Sequence, residues 1–276
     1  MNRLNLQAVL DESVILLTKI FFRMREVNIE IMRVSEVATV LLEMGLKKDG
    51  DIIHLFNEII KLKNNAPNIS EKICCLEFLS YFPEAKKIVI KNINFLFRHI
   101  NKDGGLGRFV GDRSRIPVSW RALESFYLNN YPYDKNIKKI VDWMQKEWEK
   151  DMKRGGLSYK CAGVLLANSY YPYFNKRFIS KSIMWLLDDQ NRDGGWGPRK
   201  DSPVGSVPSY TALALRALTN YKSEEIRKSI KKGIKWLIKN RLKNGFWKEH
   251  PAEVPLIHIC LFLNKYLNLK NGTKFH

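Results

Sequence analysis

Residues 190–197, QNRDGGWG, gather an amide, a carboxylate, two adjacent glycines and an indole into eight positions. Such a set could be a site, with Asp193 as acid or base, or a hinge between two helices. Other places also carry chemistry-bearing residues. In VGDRSR (110–115), Asp112 lies beside Arg113 and Arg115. Guanidinium forks bind phosphate oxygens bidentately, and the same charges hold Asp112 as a carboxylate rather than as an acid. Surface salt bridges are the plainer use of that cluster. Asp201 and Glu253 are the best remaining proton donors or bases, or else N-terminal helix caps. His258 stands alone in PLIHICLF, where a histidine is a satisfied core residue or a ligand.

Helices must position these groups. Apolar residues recur with helical period through the whole chain, and no stretch alternates as a half-buried strand does. About twelve segments result, of two alternating kinds. One is short, rich in small residues and weakly charged, as in SEVATVLLEMGL (35–46), VSWRALESFYL (118–128) and PSYTALALRAL (208–218). The other is amphipathic and lysine-rich, as in DKNIKKIVDWMQKEW and SEEIRKSIKKGIKWLIKN. A helix apolar all round wants burial on every side, whereas a lysine-striped one wants water on one side. Six of each, alternating, satisfy both demands as an all-α, (α/α)6 toroid with inner and outer rings, read as a single domain over 1–276. Glycine loops at 101–109, 153–160, 192–200 and 243–250 follow outer helices, where left-handed C-caps suit glycine. Ser223 is the expected N-cap of the SEEIRK helix.

Composition sets outer limits. Lys+Arg number 47 against 28 Asp+Glu, a formal net charge of +19. This favours encounter with anions, or merely solvates outer helix faces; nucleic acid would rest on charge alone, and is not expected. The four cysteines lack CxxC spacing and read as reduced core residues. Asp11 and Glu12 interrupt the first apolar segment, and no apolar run reaches about 18 residues. The expectation is a cytoplasmic protein without a leader or membrane span, with peripheral membrane contact left open.

The stretch QNRDGGWGPRKDSPVGSVPSYTALALRAL resembles the repeat of squalene-hopene cyclases and related terpenoid cyclases, Q-x3-G-x-W before an inner helix rich in small residues. Gln190, Gly194 and Trp196 match every defined position, and the likeness is best over about 175–267. The superfamily also contains the β-subunits of protein prenyltransferases. The resemblance implies an α/α toroid with an apolar cavity for isoprenoid chains, and it makes QNRDGGWG structural. It also implies an acid, D-x-D-D, at the start of one inner helix; here that place reads VGDRSRIPVSWRAL, without one. The prenyltransferase zinc site would need Asp-x-Cys where Val207-Pro208-Ser209-Tyr210 stands, so no metal is expected. No cofactor is expected either, with Mg²⁺ needed only if a diphosphate is the substrate.

What remains is a set at inner-helix starts and glycine loops that a ligand in the ring would meet: Trp120, Arg121, Tyr159, Tyr210, Glu253 and His258. Aromatics there could stabilise a carbocation, or pack ring against ring. The reading is a cyclase or prenyl-transfer enzyme acting on a polyprenyl chain or its diphosphate. The alternative is a non-catalytic toroid binding an isoprenoid, a peptide or a partner protein. A glycan-active ring ranks last, because it needs two carboxylates across the cavity.

Overall fold

A computed structural model describes residues 3–27, 29–48, 50–61 and 68–270. Among them are twelve α-helices and one 3-10 turn. The outer helices are α1 (Arg3–Glu26), α3 (Gly50–Lys61), α5 (Lys86–Arg98), α7 (Lys135–Lys153), α9 (Lys176–Asp188) and α11 (Glu224–Lys239). The inner helices are α2 (Ile31–Glu43), α4 (Ile69–Leu79), α6 (Ile116–Leu128), α8 (Ser158–Tyr170), α10 (Pro208–Leu218) and α12 (Glu253–Lys270). The all-helical toroid expected from the sequence is the fold.

Each inner helix packs on the next inner one, and α12 packs on both α1 and α2, so the inner ring closes on itself. Chain order explains the layering. On α11, Ile226, Ile230, Ile234 and Leu237 are buried at spacings of four, four and three, while Lys228, Lys231, Lys232 and Lys235 stay exposed. Helix α10 has no such polar face: all of Pro208–Leu218 except Tyr210 is buried. One striped helix can therefore only lie outside one that is apolar all round.

The ring has two unlike ends. Where inner helices pass to outer ones the connections are short and capped by side chains. Asp134 accepts from the Asn136 and Ile137 amides at 2.8 and 2.9 Å, and Asn175 and the expected Ser223 each accept from an amide three residues on. Where outer helices pass to inner ones lie the glycine loops.

The best-matched loop is a clasp. Trp196 is fully buried, and its Nε1 donates to the Leu186 carbonyl at 2.9 Å. Gln190 Nε2 donates to the Gly194 and Ser229 carbonyls, tying α9 to the neighbouring outer helix α11. Asp193 is wholly engaged: Oδ1 accepts from Gly195 N and Ser206 Oγ, and Oδ2 from Trp236 Nε1 at 2.8 Å. Gly194 has a φ of +97°, and a Cβ there would stand 2.9 Å from the Lys232 carbonyl oxygen, so only glycine suits the position. The same bonds recur in the loop before α6, where Asp103 Oδ1 accepts from Gly105 N and Ser114 Oγ.

Candidate functional site

A cavity of about 300 Å³ lies on the ring axis, lined by residues from all six inner helices. It sits toward their C-terminal ends, at the short-turn end of the ring. Helical spacing puts its groups on single faces: Trp120, Arg121, Glu124 and Leu128 on α6, and Ile257, His258, Leu261 and Lys265 on α12.

Two ionic groups, the first partly exposed and the second buried, occupy its floor. Arg121 donates from Nη1 to Glu36 Oε1 at 2.8 Å and from Nε to Glu77 Oε1 at 3.2 Å, with Nη2 on Glu77 Oε2, joining α2, α4 and α6. Arg216 donates from Nη2 to Glu124 Oε1 and, at 3.0 Å, to the Tyr170 hydroxyl, which itself donates to Glu124 Oε1 at 2.6 Å. That second group joins α6, α8 and α10. Charges so enclosed survive only because each meets an opposite partner. The C-terminal ends of helices carry partial negative charge, which suits Arg216 in the last turn of α10.

Burial pushes the Glu77 acid up to about 7, helped by Glu124 and Glu36 and opposed by Arg121. Burial, with Arg216 and Arg121 nearby, pulls His258 down to about 3, so its imidazole is neutral at neutral pH. Its Nδ1 is buried without a hydrogen-bond partner among the described residues. Burial raises the Tyr170 phenol, which stays a donor. The walls between these groups are apolar. Gly163 of α8 lets Trp120 lie close, since a Cβ there would fall 2.3 Å from the indole Cδ1.

Of the residues singled out in the sequence, Trp120, Arg121 and His258 line this cavity. The others lie toward the glycine-loop end. Tyr159 and Tyr210 stack on each other with centroids 5.6 Å apart. Glu253 is buried and ion-paired with Arg33 across the seam between α12 and α2. Asp201 is an exposed turn residue with φ of 53° whose amide donates to Asn191 Oδ1. Asp112 knits its own turn, accepting from the Arg108 and Arg113 amides and from Arg115 Nε. The Arg108 amide and then Arg115 hold its carboxyl below the usual range. Arg113 and Arg115 are exposed beside it.

Sequence reasoning missed Glu36, Glu77, Glu124, Tyr170 and Arg216. For the three glutamates and Arg216 the signal was present: isolated charges inside largely apolar helices. The four cysteines are free and buried, as expected. Among the described residues no group of three His, Cys, Asp or Glu side chains could hold a metal. No helix there is long and apolar enough to cross a membrane.

Residues 118–268, more than half of the chain, match the model of the squalene-hopene cyclase C-terminal domain. The chain belongs to this family. It is 34% identical over 131 residues to squalene–hopene cyclase of Zymomonas mobilis, a match covering 42% of this chain and 20% of that protein. It thus spans about a fifth or less of the length of the curated relatives it matches. Type II terpene cyclase MstE from Scytonema superposes with a TM-score of 0.71 at 11% identity, over 99% of this chain and 100% of the other. A Klebsiella pneumoniae protein described as a possible member of GH105 family superposes with a TM-score of 0.65 at 11% identity, over 98% and 94% of the two chains. These likenesses in structure concern the fold alone. Within the squalene-hopene cyclase family the chain carries the ring and its clasp, with an ionic floor on the axis.

Proposed function

We propose that this toroid binds a small amphiphilic isoprenoid in the axial cavity, with the polar part of the molecule on the ionic floor and the hydrocarbon against the apolar wall. One observation carries this reading: the lining joins Trp120, Leu166 and Leu261 to the Arg121 and Arg216 ion pairs within about 300 Å³. Sites of this kind, mostly apolar with a few convergent polar groups, hold small molecules. The family membership supports an isoprenoid. So does the Scytonema cyclase, solved with geranylgeranyl dihydroxybenzoate as its substrate, a prenyl chain bearing a polar ring.

A free chain or alcohol suits the cavity better than a diphosphate. Glu36, Glu43, Glu77 and Glu124 outnumber Arg121, Arg216 and Lys265 in the lining, and each floor arginine already holds a carboxylate. Turnover is a second reading, favoured by Glu77. A buried carboxylic acid near 7 is half protonated at neutral pH and could protonate an alkene, in place of the acid missing from the start of α6. Against it, Arg121 grips both oxygens of Glu77.

The test is incubation of the pure protein with farnesol, geranylgeraniol and the corresponding diphosphates, with and without Mg²⁺. Both binding and new hydrocarbon or alcohol products would be followed. The expected result is binding of the alcohols, weaker binding of the diphosphates and no product. Product that disappears in Glu77→Gln would establish turnover; absence of any binding would remove the proposal.

A further inference from the structure

The ionic floor has hydrogen-bonding capacity left over, and that remainder is of both signs. Arg216 uses Nη2, while its Nε and Nη1 have no partner among the described residues. Asn264 accepts from Asn268 through Oδ1, and its amide N–H groups have no partner among the described residues. On the accepting side, Glu124 receives both its bonds at Oε1, and Glu36 receives its one bond at Oε1. His258 adds a buried Nδ1 that has no partner among the described residues. Polar atoms held at a cavity wall cost free energy until something completes them.

An anion would complete only the donors, and a cation only the acceptors. Charge does not call for an anion, because Arg121 and Arg216 are already paired with glutamates, and a cation drawn by the acidic excess would leave the spare Arg216 and Asn264 donors unmet. A zwitterion would have to compete with those same pairs. A hydroxyl group is donor and acceptor at once, and several hydroxyls on one small ring would meet Glu124, Arg216 and Glu36 without breaking an ion pair. The Trp120 and Tyr127 side chains in the wall offer flat apolar surface for the C–H face of such a ring.

We infer that the polar part of the ligand is a neutral, multiply hydroxylated ring, a sugar or cyclitol in chemistry, held by Glu36, Glu124 and Arg216. The inference rests on the axial cavity being the ligand site, and it specifies the head of the molecule rather than its chain.

Titration calorimetry on the full chain tests it with six-membered rings of similar size: myo-inositol, methyl glucopyranoside, cyclohexanol, cyclohexylammonium, cyclohexanecarboxylate and trans-4-aminocyclohexanecarboxylate. At least one polyol is expected to bind about tenfold more tightly than any of the other four rings, the margin of one or two added hydrogen bonds. Glu124→Gln is expected to weaken that binding. Ser169→Phe, which fills the cavity from its lining without touching an ion pair, is expected to abolish it, with helical content unchanged. A charged ring or cyclohexanol equalling the polyols would overturn the inference, as would polyol binding that survives Ser169→Phe. Farnesol in the same titration separates the two proposals. If it binds while no polyol does, the hydroxylated head is wrong and the amphiphile reading stands; if nothing binds, water alone fills the cavity and both fall.

Discussion

The two ends of the ring solve different problems with the same twelve helices. At the glycine-loop end the polar groups of the clasp are spent on structure: Asp193 has three donors, Gln190 bridges two outer helices, and Trp196 is sealed in. At the short-turn end, buried charges face a cavity and keep unused donors and acceptors. The first end is where the chain matches Q-x3-G-x-W; the second holds the groups that could meet a ligand. A recognisable motif thus marks the scaffold, and the proposed ligand site lies at the opposite end of the same helices.

Mutation can break that contrast, and the clasp should show the greatest loss. Trp196→Ala is expected to cost about 4 kcal/mol in urea unfolding, as loss of a fully buried indole does. A loss under about 1 kcal/mol would mean that the clasp is ornamental. Glu124→Ala at the other end strands Arg216 in the interior and is expected to cost about 3 kcal/mol. The double variant Glu124→Leu with Arg216→Met should recover most of it. If the double variant is as unstable as the single one, the pair is holding the helices together by more than mutual neutralisation.

His258 gives the next effect, and its sign is fixed. Its folded pKa of about 3 lies below the ordinary histidine value, so the unfolded chain takes up the proton first. Stability is then present above about pH 6.5 and is lost as pH falls toward 3, amounting to about 2 kcal/mol by pH 5. Unfolding free energies measured from pH 7 to 5 should fall less steeply in His258→Asn; parallel curves would place the imidazole in contact with solvent. Smallest of the four, Asp193→Asn should cost about 1 kcal/mol through weakened hydrogen bonds, with ligand binding unchanged. A change in binding would erase the division of labour between the two ends.

The fold was legible because burial leaves a periodic record. Lysine stripes on α11 and their absence from α10 assign outer and inner rings without any knowledge of contacts. The glycine loops were legible for a similar reason, since Gly194 meets a demand that few other residues satisfy. The site was only partly legible. The sequence points to Trp120, Arg121 and His258, but the acids of the cavity lie further along the inner helices than the starts, where the resemblance places one. Glu77 in CCLEFL and Arg216 in ALRAL each look, in one dimension, like a defect in an apolar helix. Only closure of the ring brings Glu36, Glu77 and Arg121 together from three hairpins, and that closure is not written in any one segment. Asp112 is a loop carboxylate whose nearest partners are its own turn's amides, and Asp201 is an exposed turn residue away from the cavity.

The axial charges also act as a hub. Arg121 ties α6 to α2 and α4, Arg216 ties α10 to α6 and α8, and α12 brings His258 to the same cavity. Three of the far junctions carry a side-chain lock, at Asp103, at Gln190 and Trp196, and at Trp247. Anything that alters the hub, a proton or a bound molecule, therefore meets groups from all six inner helices at once, at the end of the ring away from those locks.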